Sequence, residues 1–116
     1  SEKLNIECIK MKNYLDSHYS ENITLDILSN LTYINKFHLV HLFTKQMGIS
    51  PINYLINKRI NESKNLLTTT NYSVRDISTI VGFSNPSYFS QMFKKVTGTS
   101  PKTFKLNNTS KLKVTI

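Results

Sequence analysis

The strongest constraint on this chain is a repeat. The stretch "NKFHLVHLFTKQMGISPINY", residues 35–54, returns fifty positions later as "NPSYFSQMFKKVTGTSPKTF", residues 85–104. Phe43, Gly48, Ser50 and Pro51 recur as Phe93, Gly98, Ser100 and Pro101. In each copy a glycine ends one helix, a serine caps the next, and a proline takes the first helical position. The chain makes the same helical device twice.

The segments around the repeat extend it. Ile6, Ile9, Met11 and Tyr14–Leu15 fall at helical spacing, so a first helix is predicted over about 4–18. "ITLDILSNLT" follows, with Thr24 as N-cap and Asp26 in the first turn, where the helix dipole favours an anion. Asn35 is placed to cap the next helix and Gly48 to stop it. From Pro51 a helical period runs through Ile52, Leu55, Ile56, Ile60, Ser63 and Leu66/Leu67, giving the longest helix, about 51–68. Ser73 with Asp76 opens a short helix in near capping-box form, Gly82 turns the chain, and Asn85–Pro86 open the next. The copies are offset by 49 before the turn and by 50 after it, so the second turn holds one extra residue, Ser84. A final short helix begins at "SPKTF", and residues 107–116 read as a tail, with strand-like alternation only in "KLKVTI". The expected fold is all-α: seven helices, with two helix-turn-helix subdomains joined by a long central helix.

Charge is distributed unevenly. Residues 1–35 carry three Lys against five acids, whereas residues 36–116 carry ten Lys and two Arg against Glu62 and Asp76. A basic surface of that kind fits a polyanion, although a merely soluble basic protein has the same signature. Cys8 is the single cysteine, so no internal disulfide forms, which suits a reducing cytoplasm. No apolar run approaches the roughly 18 residues of a membrane span, and the first residues lack a signal-peptide pattern.

A short helix, a tight turn and a second capped helix make a helix-turn-helix, whose second helix reads the DNA major groove from near its N-terminus. In helix 36–47 the inward stripe is Leu39, Leu42 and Phe43, leaving Lys36, Phe37, Val40, His41 and Thr44 outward. In helix 86–97 the inward set is Phe89, Met92 and Phe93, leaving Ser87, Ser90, Gln91 and Lys94 outward. A 17-residue connecting helix is a rod of about 26 Å. With the half-widths of its flanking units it could set two reading helices roughly one DNA turn apart. Duplication then lets one chain do what other helix-turn-helix proteins do as dimers.

On these residues the chain resembles the AraC/XylS family of bacterial transcription regulators. "ISTIVGFSNPSYFSQMFKKVTGTSPKTF" is similar to that family's second helix-turn-helix, matching at Gly82, Phe83, Phe89, Phe93, Lys94, Gly98, Pro101 and Phe104. "LDILSNLTYINKFHLVHLFTKQMGISPINYL" is similar to its first unit, and the resemblance spans about residues 6–106. It implies one DNA-binding domain across 1–116, with helix-turn-helix units at about 24–47 and 73–97. It also implies base-reading roles for Phe37, Val40 and His41 in the first unit, and for Pro86, Ser87, Tyr88, Ser90 and Gln91 in the second. Lys36, Lys45, Lys94 and Lys95 are implied phosphate contacts, joined by Asn35 and Asn85 at the helix starts. Two positions depart from the family pattern: Tyr33 stands where the first turn often has Gly, and Ser63 where Ala is usual.

Several residues have a second reading. Phe37 and Val40 are apolar on an outward face, which suits thymine methyl groups but also burial against another domain. His41 is a base or phosphate contact or a solvated helix residue. His38 falls toward the inward stripe, and with His41 has no third ligand nearby, so no metal is expected. Cys8 reads as a core thiol. Arg59 reads as a structural ion-pair partner of Glu62 or Asp76 rather than a phosphate contact. Tyr54 and Phe104 read as aromatic wedges behind each reading helix. No cofactor and no catalytic role are expected, because nothing pairs a nucleophile with a base and no glycine-rich phosphate loop occurs. Double-stranded DNA is the expected partner. The alternative is a helical module docking on RNA polymerase or another regulator, and a sensing or dimerisation domain would lie outside these 116 residues.

Overall fold

Polar side chains set where helices begin. Thr24, Asn35, Ser73 and Asn85 have extended backbones, and their oxygens accept from the amides of Ile27, His38, Asp76 and Tyr88 at 3.2, 2.9, 3.0 and 3.1 Å. Each satisfies an amide that the helix leaves without an internal partner. Ser50 and Ser100 do the same for Asn53 and Thr103, with the predicted proline just inside. The computed structural model describes residues 4–114, with side chains through Asn108.

Seven helices occupy the described residues, and no strand is present among them: α1 (Ile6–His18), α2 (Leu25–Thr32), α3 (Lys36–Met47), α4 (Pro51–Thr69), α5 (Val74–Ile80), α6 (Pro86–Thr97) and α7 (Pro101–Val114). The last helix differs from expectation. It continues through 107–114, where a tail was anticipated, because after Pro101 no Gly or Pro interrupts it. Residues 115–116 lie outside the described residues. Among the described residues, no helix is long and apolar enough to cross a membrane.

The chain divides into two compact units, Ser1–Lys58 and Arg59–Ile116, with the boundary inside α4. In unit 1, Cys8, Met11 and Leu15 of α1 pack with Ile23, Leu28, Leu39, Phe43 and Leu55. Burial pushes the Cys8 thiol above its ordinary pKa, as befits a core side chain. The N-terminal end of α1 is strapped to α3 by the Asn5 amide, which donates to Gln46 Oε1 at 2.7 Å.

Unit 2 buries Ile60, Leu67, Ile77, Val81, Phe83, Phe89 and Phe93. Its rings run as a chain: Phe83 to Phe89 at 5.2 Å, Phe89 to Phe93 at 5.8 Å, and Phe93 to Phe104 at 5.4 Å. Such tilted and edge-to-face pairs add about 0.5–1.5 kcal/mol each beyond burial. The leading helices also correspond, which the sequence reading did not find. Cys8, Met11 and Leu15 match Ile60, Ser63 and Leu67, all nearly or fully buried and in the same helical register.

Candidate nucleic-acid interface

Each unit places its second helix by a turn containing one left-handed residue. In unit 1 the turn is Tyr33–Ile34–Asn35, and Tyr33 has φ +59°, the one non-glycine with positive φ among the described residues. Its amide donates back to the Ser29 carbonyl at 2.8 Å, while the Ser29 hydroxyl donates to the Ile34 carbonyl at 2.6 Å. In unit 2 the same place holds Gly82, at φ +107°. There five residues, 81–85, separate α5 from α6, and Phe83 drops into the core. The extra residue is accommodated next to Phe83, where Ser84 is exposed.

In α3, Leu39 and Phe43 are buried, and Lys36, Phe37, His41, Thr44 and Lys45 are exposed. Phe37 is 71% exposed, an unusual state for a phenyl ring, and it rests against His41 at 4.6 Å. Two expectations change. His38 is exposed rather than inward, because it sits about a quarter-turn off the Leu39–Phe43 stripe in the first turn, and its ring meets Phe37 edge-on at 5.8 Å. Val40, expected outward, is half-buried against the unit 1 core, since it lies about a quarter-turn off the other side of the stripe.

In α6, Phe89 and Phe93 are buried, and Ser87, Tyr88, Gln91, Lys94 and Lys95 are exposed. Ser90, expected outward, is half-buried like its counterpart Val40, and Pro86 is half-buried too. Tyr88 leans edge-on against Phe83, with ring centroids 5.9 Å apart. Asn35 and Asn85 spend a side-chain oxygen on capping and keep the amide NH₂ as a donor.

The supporting side chains were only partly foreseen. Tyr54 is a wedge as expected, its ring 5.6 Å from Phe43, but its hydroxyl also donates to Asp16 Oδ1 at 2.7 Å. Lys12 approaches the other Asp16 oxygen at 2.9 Å. Burial alone would raise the Asp16 carboxyl, but the hydrogen bonds from Tyr54 and Lys12 outweigh it and hold the group below its ordinary value. Burial and then the Asp16 carboxylate push the Tyr54 phenol up. The Arg59 guanidinium lies over the Phe83 ring at 5.5 Å, a contact the sequence reading missed, and its partial burial lowers its pKa. Lys36 Nζ is 3.0 Å from Asp26 Oδ1 across the first turn.

Two capped helix-turn-helix units, each with a polar or aromatic face on its second helix, define a helix-turn-helix domain of the kind that transcription regulators carry. Residues 28–107 match the family model described as "Helix-turn-helix domain". The chain belongs to the AraC-type helix-turn-helix family. It is 34% identical over 93 residues to the arabinose operon regulatory protein of Escherichia coli, covering 79% of this chain and 32% of that protein. The chain thus spans about a third of the length of such curated relatives. The C-terminal domain of AraT, a response regulator from Geobacillus stearothermophilus, superposes with TM-score 0.87 at 26% identity, covering 91% of this chain and 88% of that one. The DNA-binding domain of AdpA, solved in complex with a target DNA, superposes with TM-score 0.86 at 21% identity, covering 92% and 96%, and attests the fold.

Proposed function

We propose that this chain is the sequence-specific DNA-binding part of a cytoplasmic transcription regulator, and that α3 and α6 each enter a major-groove segment. The observation that carries this reading is the exposed outer face repeated on both helices: Phe37 and His41 on α3, Ser87 and Gln91 on α6. Serine and glutamine hydrogen-bond base edges, and a phenyl ring packs on thymine methyl groups. Lys45, Lys94 and Lys95 are exposed on the same helices and supply phosphate contacts, with Lys36 at the start of α3. Val40 and Ser90, both half-buried, contribute less to base reading than their neighbours. Pro86 fixes the first turn of α6, and Tyr88 reads from its perch on Phe83. The role is binding, with no catalysis.

Selection of bound duplexes from a random pool tests this. It should return two short half-sites about ten base pairs apart. Affinity should fall steeply with salt, by roughly 0.9 log units per log salt for each phosphate neutralised. Gln91→Ala should relax preference at one base step, whereas Lys94→Ala should weaken all sequences alike. Flat or absent duplex binding would instead favour a protein-docking module acting through exposed Phe37.

A further inference from the structure

Positions 26 and 75 hold the same place in the two copies, and they carry opposite charges: Asp26 in unit 1, Arg75 in unit 2. Arg75 is exposed and makes no ion pair among the described residues. Asp26 is 71% exposed and bridges to Lys36, the first residue of α3, at 3.0 Å. In unit 2 the residue matching Lys36 is Pro86, so that arrangement has no counterpart there.

The pair sits beside the end of the helix that carries Phe37 and His41. A cation at a helix start opposes the helix dipole, and Asp26 compensates it. The carboxylate also lies within a Debye length, about 8 Å, of a phosphate bound to Lys36 Nζ where it now stands. Lys36 therefore meets a phosphate either by leaving the carboxylate or with the carboxylate beside it, and in both cases the carboxylate offsets the attraction. The wider charge agrees in direction. Residues 1–58 hold six basic and five acidic side chains, and residues 59–116 hold nine and two.

We propose that Asp26 is a specificity-determining residue that restrains unit 1 on DNA of the wrong sequence. By holding Lys36 it removes backbone attraction that any duplex would satisfy, so unit 1 engages where its base-reading face fits. The bridge is solvent-exposed and easily exchanged, so it yields where base contacts hold α3 in place against the duplex and restrains α3 where they do not. This inference rests on the DNA-binding reading above.

The test compares the wild type with Asp26→Asn, Lys36→Gln and the double variant. Each is titrated with a duplex selected by the wild type and with a random-sequence duplex pool, across a range of salt. Asp26→Asn should tighten the random pool several-fold at about 0.1 M salt and steepen its salt slope by about one. The selected duplex should gain less, so discrimination falls. In the Lys36→Gln background these changes should vanish. Asp26→Ser, a second neutral replacement, should act in the same direction. An unchanged slope and ratio in Asp26→Asn overturns the inference, as does an equal gain without Lys36. A wild type with no salt-sensitive duplex binding would sink the DNA reading itself, and this inference with it.

Discussion

Unit 1 and unit 2 share one grammar and almost no chemistry. Thr24 and Ser73 cap equivalent helices, as do Asn35 and Asn85, and Gly48 and Gly98 close α3 and α6 in the same left-handed conformation. Yet unit 1 buries one phenyl ring among Cys, Met, Leu and Ile, and unit 2 buries three. On the second helix of each helix-turn-helix, Phe37, His41 and Thr44 in unit 1 correspond to Ser87, Gln91 and Lys94 in unit 2. The caps and turns fix the geometry, and they use few positions. The remainder of each unit was free to diverge, so each helix can present a different chemical face from the same frame.

The largest difference to probe is the core. Phe93 touches Phe89 and Phe104, whereas Phe43 has a single ring partner among the described contacts, Tyr54. Phe→Ala at either fully buried site should cost about 3–5 kcal/mol. Phe93→Ala should fall at the upper end, because two edge-to-face partners lose their contacts as well. Urea unfolding gives the total, and amide exchange assigns the loss to a unit. Equal losses at both sites would break the distinction between an aromatic and an aliphatic core.

A smaller difference is polar. Tyr54 and Phe104 occupy the same place, but only Tyr54 has a hydroxyl, and it donates to Asp16. Tyr54→Phe makes unit 1 resemble unit 2 at this point and should cost about 1 kcal/mol at neutral pH. The Asp16 carboxyl is depressed in the folded state, so its contribution is present above about pH 4 and is lost as pH falls through the lower folded value. The Tyr54 phenol is raised, so its contribution is present below about pH 10 and is lost above that. The gap between wild type and Tyr54→Phe should therefore close at both extremes. A constant gap from acid to alkali would show that the ring's packing matters and the hydroxyl does not.

What could be read from the sequence follows the same division. Caps, terminating glycines and buried stripes were legible because each depends on residue type at fixed local spacing, as with Asn35, Gly98 and Phe93. Contacts between elements were not. Nothing in spacing couples Asp16 to Tyr54, Arg59 to Phe83, or Asp26 to Lys36, since each pair meets only once the helices pack. Val40 and His38 were misassigned for a related reason. Both lie at the edge of the α3 stripe, where tertiary packing decides which side is covered. The correspondence of α1 with α4 was not legible because Met11 aligns with Ser63, and the two share neither size nor polarity.

The turns offer a reciprocal exchange of about 1 kcal/mol. A side chain at positive φ costs roughly 1–2 kcal/mol in the folded state, partly offset because glycine loses more entropy on folding. Tyr33 is 95% exposed, so replacing it removes no packing. Tyr33→Gly should stabilise unit 1 by about 1 kcal/mol, and Gly82→Ala should destabilise unit 2 by a similar or larger amount. Thermal unfolding of the two variants checks the opposite signs. If Tyr33→Gly also destabilises, the exposed phenol makes a contribution that its backbone strain conceals.

The smallest effect is that of removing the Ser63 hydroxyl. Ser63 stands where unit 1 has Met11, and its hydroxyl donates to the Ile60 carbonyl at 2.7 Å. That carbonyl is within a helix, and the serine bond is an additional one, so removing it leaves no buried group stranded. Ser63→Ala should therefore change stability by less than about 0.5 kcal/mol. The small side chain itself matters more, because a core with three phenyl rings reaches native density only if its neighbours are small. Ser63→Met, which copies unit 1, should overpack unit 2 and cost about 1–3 kcal/mol. A silent Ser63→Met in urea unfolding would mean that unit 2 has room to spare, and that its aromatic core and its serine arose without reference to one another.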